Sequence, residues 1–125
     1  MLAVPVGAES PSHDRLINQA ASFLEQLDQA QYGDAWHTMS FLFQDLNSQD
    51  QWLNRQQTIR TAYGALSARQ LDDINYRQGY NLSPDGLYVV VKFNSGFTNK
   101  ADTTESVILD CRSGPECSIR EYIIR

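Results

Sequence analysis

The apolar residues of this chain change their spacing at Leu66, and they do so once. Up to that point they recur every three or four positions, the mark of an amphipathic helix. Beyond it they alternate, the mark of a half-buried strand. Helices first and strands afterwards predict an α+β domain, with three N-terminal helices packed on an antiparallel four-stranded meander sheet.

The first helix is expected over residues 10–30. Ser10 can cap it, Pro11 suits its first position, and Asp14 complements the positive end of the helix dipole. Leu16, Ile17, Ala20, Phe23, Leu24 and Leu27 form one apolar stripe, with Gln19, Gln26 and Gln29 on the wet side. Gly33 breaks the pattern and Asp34 can cap a second helix, in which Ala35, Trp36, Met39 and Phe43 share a face. A third helix begins at Ser48, where Ser48 and Gln51 make a capping-box pattern. Trp52, Gln56, Ile59 and Tyr63 step along one side of it. Gly64 stands where a left-handed C-terminal cap is expected.

Residues 67–81 read as a long polar strand with a bulge at Asp72-Asp73. Ser83-Pro84-Asp85-Gly86 is a turn, Leu87 to Phe97 the next strand, and Asn99-Lys100-Ala101-Asp102 a second turn. Thr103 to Cys111 and Cys117 to Ile124 complete the meander.

Cys111 and Cys117 flank the neck of that last hairpin. A disulfide there suits an oxidising compartment; a pair of free thiols in a cytosolic hairpin is the other reading. If they pair, Leu109 faces Ile119, Val107 faces Glu121 and Glu105 faces Ile123 on one side. On the other, Ile108 lies against Arg120 and Ser106 against Tyr122. Tyr88, Val90, Ile108, Tyr122 and Ile124 then share one candidate face, so both faces carry bulky apolar groups. A sheet of that kind packs helices on one side and a second layer or subunit on the other, which predicts a homodimer through the outer sheet face.

The chain has 125 residues, the size of one domain, and a formal net charge of −5 with acids and bases interspersed. Without a basic stripe, nucleic acid is not an expected partner. No apolar run reaches the length of a transmembrane helix. His13 and His37 lack ligand spacing to the cysteines, so no metal is expected, and no nucleotide-binding Gly-rich loop is present, so no cofactor is expected either. Residues 1–9 form a separate segment ahead of a single domain over 10–125. Val6 and Ala8 before Glu9 fit the end of a secretory signal peptide, although no basic n-region precedes them; a native N-terminus is the alternative. Together with the cysteines this leans to a periplasmic or secreted protein.

The run Asp85-Gly86-Leu87-Tyr88-Val89-Val90-Val91-Lys92-Phe93, with Phe97, Asn99-Lys100 and Glu105-Ser106-Val107, resembles the bacterial domain of unknown function 4019 family. So do Tyr32 and Trp36 ahead of Ser40 to Phe43, Trp52, Gly64 with Leu66 and Arg69, and the closing Tyr122-Ile123-Ile124. The resemblance covers residues 15 to 125. It implies a small exported bacterial protein with a cystatin-like cone, the curved sheet of nuclear transport factor two and ketosteroid isomerase. In such folds helices pack into the concave side and can enclose a pocket. It carries over no catalytic residue. The last hairpin departs from the family pattern: Cys117 and Glu121 stand where that pattern has Trp and Gly, so a disulfide there would replace packing by an indole.

A cone-fold pocket would draw on tyrosines, a tryptophan and a desolvated acid. Tyr32, Trp36, Tyr63, Tyr76 and Asp73 are the expected ligand-binding residues. Asp72 and Asp73 are adjacent in a strand, so only one can face inward; a bulge whose acids meet Arg69 or Arg77 is the plainer reading. His37 and Asp45 are read as edge and loop residues, and Trp52, Phe93 and Phe97 as core. No convergent acid–base set exists, so the expected function is a non-catalytic module binding a small ligand or a protein. The alternative is a small isomerase, dehydratase or hydrolase using an Asp/Tyr pair in the pocket.

Overall fold

The computed structural model describes residues 12–125. Four helices precede four strands: α1 (His13–Asp28), α2 (Tyr32–His37), α3 (Phe41–Leu46), α4 (Gln49–Tyr63), β1 (Leu66–Arg77), β2 (Tyr88–Phe97), β3 (Lys100–Asp110) and β4 (Ser118–Ile124). The strands form one antiparallel sheet in the order β1-β2-β3-β4, as the alternation predicts. The segment 1–9, Ser10 and Pro11 lie outside the described residues.

Ser12 caps α1, its hydroxyl accepting from the Arg15 amide, with Asp14 in the first turn. Leu16, Ala20, Phe23, Leu24 and Leu27 are buried along one stripe. Gln19 is half-buried rather than wet, because its Nε2 donates to the Cys117 carbonyl at 2.8 Å and ties α1 to the last hairpin. The expected second helix divides in two. At Thr38 to Ser40 the chain leaves helical geometry to bridge β4: Met39 pairs in parallel with Ile119, and the Ser40 amide donates to the Ile119 carbonyl at 2.7 Å. Ser40 then caps α3, accepting from the Phe43 amide. Gly33 and Asp34 sit inside the first turn of α2 instead of ending and starting helices. Ser48 caps α4 through the Gln51 amide as the capping box predicts.

The helices cover one face of the sheet. Phe23, Trp52 and Phe43 from the helices pack with Val89, Val91, Phe93, Val107, Leu109, Ile119 and Tyr122 from the strands. Strand β1 bulges at Asp72, where Leu71 opposes Phe93 and Asp73 opposes Lys92. Its acids meet neither Arg69 nor Arg77; the nearest cation is Lys92, 3.7 Å from Asp72. The strand ends at Arg77, four residues short of expectation, because the following loop folds over the outer face. There Tyr80 packs with Tyr88 and Ile108, and the Tyr88 hydroxyl donates to the Pro84 carbonyl at 2.6 Å. The β2–β3 turn is tighter than expected, spanning only Thr98 and Asn99.

The last hairpin holds one register point and shifts the rest. Leu109 faces Ile119, but Ile108 faces Glu121, Val107 faces Tyr122, Ser106 faces Ile123 and Glu105 faces Ile124. Arg120 is the extra residue of a bulge. A one-residue slip exchanges the faces of everything beyond it. Tyr122 and Ile124 therefore point to the helices, while Ile123 joins Val90 and Ile108 on the outer face.

Cys111 and Cys117 form a disulfide with Cα atoms 4.5 Å apart. Replacing both with serine is expected to lower stability by about 2 kcal/mol, the chain-entropy value for so short a loop. Urea denaturation of the double variant measures it, and the native protein under reducing conditions should lose a similar amount.

Gly64 ends α4 with φ of 84° and ψ of −164°, so its φ is positive as expected but its ψ is extended. The helix end is closed by the β2–β3 turn: the Asn99 amide donates to the Tyr63 carbonyl at 2.9 Å and its Nδ2 to the Ala62 carbonyl at 3.2 Å. A Cβ at Gly64 would lie 2.0 Å from Thr98 Oγ1. Gly64→Ala should cost about 1–3 kcal/mol from the strained backbone alone, read as a drop in thermal midpoint.

Candidate functional site

Helix α4 buries Trp52, Gln56 and Arg60, one turn apart from one another. Two of those three are polar, so the helix carries a charge into the space between layers. Asp28 reaches the same place from the end of α1, Arg69 from β1, Ser95 from β2, Glu105 from β3 and Tyr122 from β4. Arg60 Nη1 donates to Asp28 Oδ1 at 2.7 Å, and its Nη2 to Glu105 Oε2 at 3.0 Å and to the Tyr122 hydroxyl oxygen at 3.1 Å. Arg69 donates to both Asp28 oxygens at 2.7 and 2.9 Å, and to Glu105 Oε1 through Nε and Nη2 at 2.9 and 2.8 Å. The Ser95 and Tyr122 hydroxyls donate to Glu105 at 2.6 and 2.5 Å.

The Glu105 side chain is 0% exposed, and each of its oxygens accepts more than one hydrogen bond. Two guanidiniums and two carboxylates cancel in charge. Phe97 lies under the Arg60 guanidinium, 5.0 Å from its centre. Arg60 Nε and Gln56 Oε1, one turn apart on α4, have no partner among the described residues. Such a buried network is high in cost if broken and low in reactivity when intact, because its lone pairs and protons are already engaged.

Burial acts to raise the Asp28 carboxyl, but hydrogen bonds and charge from Arg69 and Arg60 outweigh it and hold the group below its usual range. Its folded value is depressed, so the stability it contributes is present above about pH 4, the unfolded value, and is lost as pH falls through the lower folded value. Burial pushes the Tyr122 hydroxyl well up, reinforced by the neighbouring Glu105 charge. Tyr80 is raised by burial and by its hydrogen bond to Glu121. For these two the sign reverses: their contribution is full below about pH 10 and is lost as pH rises through the folded values. In an alkaline titration followed by tyrosinate absorbance, Tyr80 and Tyr122 should ionise above about pH 10 and together with unfolding. Ionisation of Tyr80 and Tyr122 near pH 10 in the folded protein would contradict this.

Above the network only a small cleft of about 170 Å³ remains, lined by Tyr32, Asp28, Arg60, Thr61 and Gly64 among others. The expected pocket residues are not gathered there. Tyr32 lines this cleft. Trp36 is half-buried with Nε1 donating to the Asn47 carbonyl at 3.0 Å. Tyr63 stacks edge-on with Phe97, beneath Lys100. Tyr76 meets His13, its hydroxyl 3.2 Å from Nδ1. Asp73 is exposed on the outer face of the sheet. Asp72 is exposed too, and neither aspartate has a hydrogen bond to a tyrosine hydroxyl among the described residues. His37 and Asp45 are exposed, Asp45 within α3 rather than in a loop.

The outer face carries a larger feature, an open groove of about 600 Å³. Val90, Ile108 and Ile123 form its floor, Tyr80 a wall, and Asp73, Arg77, Lys92 and Arg125 supply its charges. Sequence reasoning missed both constellations. The signal for the inner one was present: Arg60 lies two helical turns beyond Trp52 on the buried stripe, and Glu105 alternates in phase with Val107 and Leu109.

No group of three or more His, Cys, Asp or Glu among the described residues could hold a metal ion. No described helix is long and apolar enough to cross a membrane. The disulfide is consistent with an oxidising compartment.

Helices on one face of a four-stranded meander, with a charged network filling the space between them, define a compact α+β domain with a closed polar interior. A family model described as protein of unknown function (DUF4019) matches residues 19–119, and the chain belongs to that family. No curated protein and no solved structure matches it.

Proposed function

We propose that this is an exported, non-catalytic binding module, periplasmic or secreted, that takes a small ligand on the outer face of its sheet. One observation carries the reading: the interior carboxylates and hydroxyls are engaged around Glu105, whereas the outer groove offers polar side chains over an apolar floor. A binding surface needs both, apolar area to exclude water and a few polar groups to orient the guest. Of the residues expected from the sequence, Asp73 belongs to this surface. The disulfide supports export. The apolar part of the outer face is partly covered by the chain's own Tyr80, which weakens the motive for a homodimer through it.

Amide spectra of isotope-labelled protein, recorded against a fragment library, test the reading. Shifts gathering on Asn75, Val90, Lys92, Thr104 and Ser106 support it. Shifts gathering around Tyr32 and Arg60, or hits that touch neither place, overturn it. Sedimentation at micromolar concentration addresses the second occupant: a dimer that blocks fragment binding would assign the face to a second copy of the chain.

A further inference from the structure

We infer that the outer groove takes an organic anion with an apolar body, its carboxylate held by Arg77, Lys92 and Arg125; the inference rests on the binding reading above. The chain has fifteen acidic and ten basic residues, so a cation near its surface has acids in excess to pair with. Of the six other arginines four pair, while Arg55 and Arg120 make no ion pair among the described residues. Arg15 meets Glu116 and Arg112 meets Asp110, while Arg60 and Arg69 share Asp28 and Glu105.

Around the groove pairing is sparse. Arg77, Lys92 and Arg125 face one lining carboxylate, Asp73. Arg77 and Arg125 make no ion pair among the described residues, and Arg77 Nε donates only to the Asn75 amide oxygen, at 3.0 Å. Lys92 is 3.7 Å from Asp72, with both side chains well exposed. Glu121, which accepts from the Tyr80 hydroxyl, is a further carboxylate on this face.

Three strands thus deliver three cations to the rim of one apolar floor. Guanidinium groups with free Nη atoms match the planar, two-oxygen face of a carboxylate. In the floor Ile108 is buried while Val90 and Ile123 are half-buried, and an alkyl body laid on those two removes further apolar surface from water. A neutral guest would gain the floor but not the two guanidiniums that have no ion-pair partner.

The test uses three probes of equal body and different head: octanoate, octanamide and octylamine. Each is titrated into the isotope-labelled protein at low salt. Octanoate should shift the amides of Val90, Lys92 and Ser106 saturably. Octanamide should bind about tenfold more weakly, the scale of one lost charge-assisted contact. Raising salt should weaken octanoate binding. The double variant Arg77→Gln/Arg125→Gln should lose about tenfold for octanoate and little for octanamide, with its melting temperature unchanged because both side chains are exposed. Equal binding of all three probes in the groove overturns the anion inference and leaves the groove reading standing. Shifts confined to another surface, or none at all, overturn both.

Discussion

Glu105→Gln lowers the unfolding free energy by about 3–5 kcal/mol at neutral pH, the cost of breaking a buried ion pair from one side. Glutamine keeps the shape and one acceptor oxygen. It leaves Arg60 and Arg69, whose side chains are 7% and 12% exposed, with Asp28 as their one remaining carboxylate. One guanidinium charge is then uncompensated in a dry site. The new amide nitrogen also faces donors, since Arg60, Arg69, Ser95 and Tyr122 all direct hydrogens at this position. Domains of this kind hold about 5–15 kcal/mol in total, so the variant should sit close to unfolding. Urea denaturation gives the number. A loss below about 1 kcal/mol, the scale of an exposed pair, would mean that water reaches the network. The same physics warns against reading the network as a source of net stability, because an all-apolar replacement of similar volume can be neutral or better.

Trp52→Ala should cost about 3–5 kcal/mol. The indole is 2% exposed and packs against Phe23 at 6.4 Å and Phe43 at 6.0 Å between ring centroids. Its loss removes apolar burial and leaves a void that α1, α3 and α4 can only partly close. Apolar voids stay dry and accept apolar guests. Benzene at saturation should therefore raise the melting temperature of the variant and leave that of the native protein unchanged, by binding the folded state alone. If benzene has no effect, the layers have collapsed onto the site, and the measured loss should fall at the low end of the range.

Much of the fold was legible because it is written in local pattern. The stripe from Leu16 to Leu27, the cap at Ser48, the bulge at Asp72 and the pairing of Cys111 with Cys117 each depend on residues within one element or one hairpin. The break at Thr38 to Ser40 was not, because a tertiary bridge to Ile119 decides it. The inner network was missed for a related reason. Asp28, Arg60, Arg69 and Glu105 lie on four different elements, and polar residues on a buried stripe look like its wet edge until their partners are known. The pocket set of Tyr32, Trp36, Tyr63, Tyr76 and Asp73 was chosen by residue type, which says nothing of convergence. The bulge at Arg120 has no local signature, and so the hairpin register followed the cysteines only as far as Ile119.

That extra residue gives β4 a parity. Counting from Cys117, the odd-even rule that sorts inside from outside is reset at Arg120, and Tyr122 arrives inside to grip Glu105. Drawing Arg120 into the ladder as a paired residue would be an exchange of identities along the rest of the strand: Tyr122 and Ile124 for Glu121, Ile123 and Arg125. A carboxylate would be presented to Glu105 where a phenol now stands. Whether this one position stays outside the ladder therefore carries more chemical consequence than most substitutions within the strand.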